Sequence, residues 1–140
     1  RVVFDRGAET PLESTLVRTA KEIPTVVFAH HPPVARMAAL HIAGVDVFEA
    51  EGLPAALEAL HGFEVQHLLV EGGARVAQEF LRQGMVDRLI IFQSPITLGT
   101  GGLSPFDELP DFRERLARVP IVRRAGFGED VMSVYALSEG

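Results

Sequence analysis

The feature that most constrains this fold is a glycine pair between an apolar run and an amphipathic run. Leu68 to Val70 predict a buried strand, and Gly72-Gly73 follow almost at once. From residue 74 the spacing predicts a helix with one apolar face, made of Val76, Ala77, Phe80 and Leu81. A strand that turns into a helix at two glycines aims free backbone N–H groups at one point, where the helix dipole adds positive charge. The pattern predicts a phosphate site, although such glycine pairs also serve as ordinary turns.

Composition limits the classes of function. The 140 residues, 47% apolar and 23% charged, are typical of one soluble globular domain. No apolar run approaches the ~20 residues that cross a bilayer, and the first residues do not resemble a signal peptide, so no membrane partner is expected. The net charge of −6 disfavours nucleic acid as a partner. The lack of cysteine excludes disulfides and thiolate chemistry and fits a cytoplasmic protein. The five histidines have no metal-ligand spacing, so no metal site is expected.

Hydrophobic periodicity and turn residues predict alternating strands and helices. The predicted strands are 1–5, 25–29, 45–48, 68–70 and 88–92, and the predicted helices lie within 15–21, 34–42, 54–62, 74–82 and 110–118. The apolar strand 88–92 is expected at the centre of a sheet, buried on both faces. Residues 119–127 and 131–137 predict a terminal hairpin around a three-residue loop, Gly128 to Asp130. The expected fold class is therefore α/β, a mostly parallel sheet flanked by helices that ends in an antiparallel hairpin.

Several motifs occur together in the order seen in one known family. They are Arg1 to Asp5, Thr10-Pro11, Ala20 to Thr25, Val70 to Ala74, Met85 to Leu89, Ser94 to Gly99 and Gly128 to Val131. In these motifs the chain resembles the pyrimidine reductase domain of riboflavin biosynthesis. The resemblance implies the dihydrofolate-reductase fold and the use of NADPH to reduce the ribose of 5-amino-6-(5-phosphoribosylamino)uracil to a ribityl chain.

The resemblance also implies roles for particular residues. The cofactor-binding set is Arg6, Gly72, Gly73, Ala74, Arg75, Val76, Ala77, Gln78 and Glu79. In it, the segment from Gly73 binds the pyrophosphate through backbone amides, and Arg6 binds the adenosine 2′-phosphate; a solvated arginine is the alternative for Arg6. Glu71 contacts the substrate, and the alternative is a carboxylate paired with a neighbouring arginine or amide. Gly72-Gly73 hold either a strained or cis peptide or an ordinary turn, and Asp5 either orients Arg6 or caps a turn. No residue is identified as the proton donor.

Family members carry about a third of the domain before the strand equivalent to Arg1 to Asp5. We therefore expect residues 1–140 to form a single reductase domain that lacks its N-terminal third. The zinc deaminase domain that often precedes it is not expected here, because its cysteine ligands are missing. The resemblance implies a homodimer, and the apolar strands 88–92 and 131–137 would support self-association of an assembly module. Two alternatives stay open: another dihydrofolate-reductase-like enzyme acting on a pterin or pyrimidine, and a noncatalytic assembly module.

Overall fold

The computed structural model describes residues 1–97, 99, 106 and 109–138. Most of the loop predicted over 95–105 therefore lies outside the described residues. By their internal contacts the residues form two compact units, Arg1–Leu68 and Leu69–Gly140, each with its own sheet. The expectation of a single reductase domain over residues 1–140 stays a prediction.

The first unit is built on a three-stranded parallel sheet in the order β1-β2-β3. Its elements are β1 (Val2–Phe4), α1 (Thr15–Arg18), β2 (Val26–Ala29), α2 (Val34–Ile42), β3 (Asp46–Glu49) and α3 (Leu53–Gly62). Val3, Val27 and Val47 align across the three strands. Every predicted strand and helix of this unit is confirmed, because each apolar run is bounded by the proline, glycine or polar residues that ended it in the sequence.

Helices cover both faces of this sheet. Side chains alternate along a strand, so the neighbours Val27 and Phe28 belong to two different cores. One core contains Ala8, Val17, Ala20, Val27, Ala29, Leu40 and Val45. The other is formed by Phe28 with Ala56 and Leu60 of α3. Burial on both faces accounts for the nearly continuous apolar character of β1 and β2.

The second unit is built on a three-stranded antiparallel sheet in the order β4-β6-β5. Its elements are α4 (Ala74–Arg82), β4 (Arg88–Gln93), α5 (Pro110–Leu116), β5 (Ile121–Phe127) and β6 (Asp130–Ala136). The terminal hairpin is confirmed, but its loop has two residues and not three, because Asp130 already pairs with Phe127. The α/β class is confirmed as well, and among the described strands parallel pairing occurs only in the first unit.

Two strand predictions, for residues 68–70 and for the position of β4 in its sheet, are wrong. Residues 68–70 form no strand, and Leu69 is 73% exposed. An apolar run becomes a strand only where a neighbouring strand can hydrogen-bond with it, and the sequence does not specify such a neighbour. Strand β4 is not central: β6 lies between β4 and β5, and Phe92 on β4 is 63% exposed. Periodicity indicates that a strand is apolar but not which strand it pairs with, and here the hairpin partner β6 takes the middle of the sheet.

The described helices include none that is both long and apolar enough to cross a membrane. Within residues 1–97, 99, 106 and 109–138, no three His, Cys, Asp or Glu side chains gather in a way that could hold a metal ion.

Candidate functional site

The carboxyl end of the parallel sheet gathers polar residues from three different strands. Asp5 and Arg6 follow β1, His30 and His31 follow β2, and Glu49 ends β3. The strands are parallel, so these ends meet at one edge, where ligands of open α/β sheets commonly bind. The amide of His30 donates to the carbonyl oxygen of Arg6 at 2.9 Å, which joins the first two ends directly.

The Asp5 side chain caps the turn that follows β1. Its Oδ2 accepts hydrogen bonds of 2.6 Å from both the amide and the hydroxyl of Thr10. Burial opposes the charged form, but the hydrogen bonds from the Thr10 hydroxyl and from the amides of Glu9, Thr10 and Gly7 outweigh it and hold the pKa of Asp5 below its ordinary value. Of the two roles predicted for Asp5, the hydrogen bonds match the turn cap.

Acid should weaken this turn. Because the pKa of Asp5 is lowered in the folded state, its carboxylate stabilises the fold above the unfolded pKa of roughly 3.9, and the contribution is lost as pH falls through the lower folded pKa. We expect Asp5→Asn to unfold at lower urea concentration than wild type at pH 7, and the difference to shrink steadily below about pH 4. Urea titrations across pH measure this, with Asp46→Asn, an exposed aspartate, as the control. A difference that stays constant down to pH 2 would contradict it.

Arg36 of α2 reaches back to the same turn. Its Nε donates to the carbonyl oxygen of Ala8 at 2.9 Å and its Nη2 to that of Thr10 at 2.7 Å. Ala8 is fully buried with a positive φ of 53°, a strained value for a residue with a side chain. Arg36 was not predicted from the sequence, because an arginine in an amphipathic helix ordinarily faces solvent and its contacts lie 26 and 28 residues away in the chain.

The two adjacent histidines lie side by side at the sheet edge. Their ring centroids are 4.3 Å apart, and Nδ1 of His31 is 3.7 Å from Oε2 of Glu49. His31 has a positive φ of 50°, so it is the second strained residue, after Ala8, near the carboxyl ends of these strands. Strained backbone concentrates at functional sites, which makes this edge a candidate site on grounds independent of its charges.

The glycine pair of the second unit forms the predicted entry to α4. Gly73 is the N-cap, with extended backbone (φ −70°, ψ 166°) and no side chain to accept from the first-turn amides. Gly72 has a φ of 154°, and no described peptide bond is cis. A Cβ built on either glycine meets no atom within 4 Å. The helix therefore begins uncapped and open, the arrangement in which backbone amides bind an anion.

Helix α4 has the face predicted for it. Phe80 and Leu81 are buried and Arg75 and Arg82 are exposed. The amide of Ala77 already donates to Gly73 O within the helix, so the amides available to a ligand are those of residues 74–76. Glu71, the predicted substrate residue, is exposed just before the glycines.

Glu79, predicted at the cofactor site, is engaged by its own helix. Arg82 donates to both carboxylate oxygens, at 2.6 and 3.1 Å, and Gln83 also donates to Oε1. The hydrogen bond from Arg82 lowers the pKa of Glu79, and the same contact raises the pKa of Arg82. Arg75, Gln78, Glu79, Arg82 and Leu109 line a surface depression of about 270 Å³. Arg6 belongs to the first unit, and the other predicted cofactor residues belong to the second.

Comparison with known families decides the relationship. The model of the RibD C-terminal domain family matches residues 1–132. The chain belongs to this family. The resemblance drawn from the glycine turn and its companion motifs is thereby confirmed.

Curated relatives have two kinds of name. The riboflavin biosynthesis protein RibD of Aquifex aeolicus is 34% identical over 103 residues, which are 72% of this chain and 28% of that protein. The 2,5-diamino-6-ribosylamino-4(3H)-pyrimidinone 5′-phosphate reductase of Archaeoglobus fulgidus is 32% identical over 101 residues, 71% of this chain and 46% of that protein. The chain thus spans less than half the length of either relative.

Solved structures agree in fold. RibD of Acinetobacter baumannii superposes with a TM-score of 0.83 at 21% identity, over 97% of this chain and 37% of that one. A pyrimidine reductase-like protein of Corynebacterium diphtheriae gives 0.80 at 21% identity, over 99% of this chain and 61% of that one. The predicted fold class is confirmed by this likeness.

Proposed function

We propose that this chain contributes to an NADPH-dependent reductase of riboflavin biosynthesis, which converts the ribose of 5-amino-6-(5-phosphoribosylamino)uracil to a ribityl chain. The observation that carries the proposal is the match of the RibD C-terminal domain family to residues 1–132. The name of the Archaeoglobus relative supports the substrate class, a phosphorylated ribosylaminopyrimidine, and the name of the Aquifex relative supports the pathway.

The N-terminus of α4, which has no side-chain cap, supports the proposal that the cofactor is NADPH. Its first amides, of residues 74–76, would bind the pyrophosphate of NADPH, and the open space over Gly72 and Gly73 would admit the diphosphate to the backbone. Arg6 would bind the 2′-phosphate with its planar guanidinium and so favour NADPH over NADH. When bound, the nicotinamide would supply the hydride that reduces the ring-opened ribose. The contribution of the described residues is then to bind and orient.

A Glu71 variant tests the proposed contact with the substrate. Replacing Glu71 with glutamine keeps its shape but removes a charged acceptor for the sugar hydroxyls, a contact worth about 1.5–3 kcal/mol. We expect the KM for the pyrimidine to rise on the order of tenfold or more, with the Kd for NADPH unchanged. Steady-state kinetics and cofactor titration measure both, and Glu58→Gln on the exposed side of α3 is the control. An unchanged KM would remove Glu71 from the site.

The proposal leaves two candidate substrates. Relatives are named both for RibD and for the reductase of the 2,5-diaminopyrimidinone phosphate, which still carries the amino group that a deaminase removes. Turnover of NADPH with each of the two compounds, and with dihydrofolate, separates the candidates. Oxidation of NADPH with either pyrimidine and not with dihydrofolate supports the proposal, and turnover of dihydrofolate alone would replace it with the other reductase.

The same proposal includes a cytoplasmic homodimer. The absence of cysteine supports that compartment. Exposed aromatic side chains on the antiparallel sheet support self-association: the rings of Phe92 and Phe127 lie 6.0 Å apart, and both are exposed. We expect Phe92→Ser to halve the mass measured by light scattering at micromolar protein, whereas Phe63→Ser, an exposed phenylalanine of the first unit, leaves it unchanged. A monomeric wild type would contradict the dimer.

A further inference from the structure

Four hydrogen bonds that involve side chains hold the turn from Asp5 to Thr10. The Asp5 carboxylate binds Thr10 twice, and Arg36 binds the carbonyl oxygens of Ala8 and Thr10. These contacts fix Ala8 in a left-handed conformation that costs of order 1 kcal/mol for a residue other than glycine. Such strain persists only where the surrounding contacts over-determine it, which is the condition met here.

Arg6 is the residue that this turn presents. The amide of Asp5, before it, donates to Phe28 O at 2.9 Å, and its own carbonyl oxygen accepts from His30 at 2.9 Å. Two residues later begins the segment that Arg36 binds. The backbone on both sides of Arg6 is therefore fixed to the sheet and to α2, while its side chain is exposed.

The charged groups nearest to Arg6 in the turn are paired with other partners and do not neutralise its guanidinium. The Asp5 carboxylate is satisfied by Thr10 and by backbone amides, and the Arg36 guanidinium donates to two carbonyl oxygens. Neither neighbouring charge pairs with Arg6. Among the described residues, the Arg6 guanidinium has no hydrogen-bond or ion-pair partner, so it is available to an anion from solution.

We propose that Arg36 and Thr10 are positioning residues that hold Arg6 where it meets the 2′-phosphate, and so set the preference for NADPH over NADH. The inference rests on the proposed function, in which Arg6 binds that phosphate. In this proposal Arg36 and Thr10 act without a contact of their own to the cofactor. Their effect is transmitted through the carbonyl oxygens of Ala8 and Thr10 and through the Asp5 cap.

The test is the ratio of the Kd values of NADH and NADPH, measured by fluorescence titration of one protein sample. Partial unfolding weakens both titrations equally and cancels in the ratio. We expect Arg6→Ala to lower the ratio about 10- to 100-fold, as for the loss of a charged hydrogen bond of about 1.5–3 kcal/mol. Arg36→Met and Thr10→Val should each lower it several-fold by raising the Kd of NADPH alone, and Arg36→Lys should recover part of the loss. Arg18→Met, an exposed arginine of α1, should leave the ratio unchanged.

Combining the variants shows whether the effect passes through Arg6. In the Arg6→Ala background, Arg36→Met and Thr10→Val should change the ratio no further, because the group they position is gone. If Arg6→Ala lowers the ratio but the Arg36 and Thr10 variants do not, or if they change it equally without Arg6, the positioning role is overturned and the proposed function stands. A wild type that binds neither dinucleotide overturns the proposed function and this inference with it. An Arg6→Ala variant with the wild-type ratio overturns the inference and the 2′-phosphate contact alone.

Discussion

Gly73→Val should raise the Kd for NADPH on the order of 100-fold and leave the fold intact. The φ of −70° and ψ of 166° at Gly73 suit any residue, and a Cβ there meets no atom of the described chain within 4 Å. The valine side chain would instead fill the space above the first amides of α4, where the diphosphate is proposed to bind. Loss of hydrogen bonds to a charged group, at about 1.5–3 kcal/mol each, gives a change of this size.

The matched control for this variant is Gly126→Val. Gly126 lies in β5 of the same unit, and a Cβ there also meets nothing within 4 Å. Fluorescence titration with NADPH measures the Kd of both variants, and circular dichroism checks their folding. A Gly73→Val protein that binds NADPH as tightly as the Gly126→Val protein would show that the diphosphate does not bind at this helix terminus. Gly72 is a poorer probe, since its φ of 154° makes any side chain strained regardless of the ligand.

The glycine turn was predictable because its determinants are local. The spacing of Val76, Phe80 and Leu81 and the glycine at the N-cap lie within nine residues, and α4 begins at Ala74 as expected. The preceding strand was not predictable in the same way. Residues 68–70 have the composition of a strand, but a strand needs a neighbour in space, and periodicity does not specify one.

The sequence predicted Arg6 but not what holds it. Arg6 follows a clear β1 pattern, and its motif resembled a known family. Arg36 and Ala8 lie 28 residues apart, and their contact depends on how α2 packs on the sheet. The positive φ of Ala8 has no sequence signal at all, because alanine is not a residue that favours this conformation. The sequence therefore predicted the residue types at the site, whereas the long-range contacts that position Arg6 were seen only in the structure.

Leu40→Ala, in the buried face of α2, should strongly lower the free energy of unfolding. Leu40 lies one helical turn after Arg36, is 0% exposed, and belongs to the core cluster that also contains Ala8. Leu40→Ala removes buried methyl groups and leaves a cavity, which costs about 2–5 kcal/mol, a large share of the 5–15 kcal/mol that stabilises a typical domain. Urea unfolding measures the loss, and Leu69→Ala, at 73% exposure, makes the same chemical change for less than about 0.5 kcal/mol. Equal costs in the two variants would mean that α2 is not anchored by this core, and the support for Arg36 at the sheet edge would go with it.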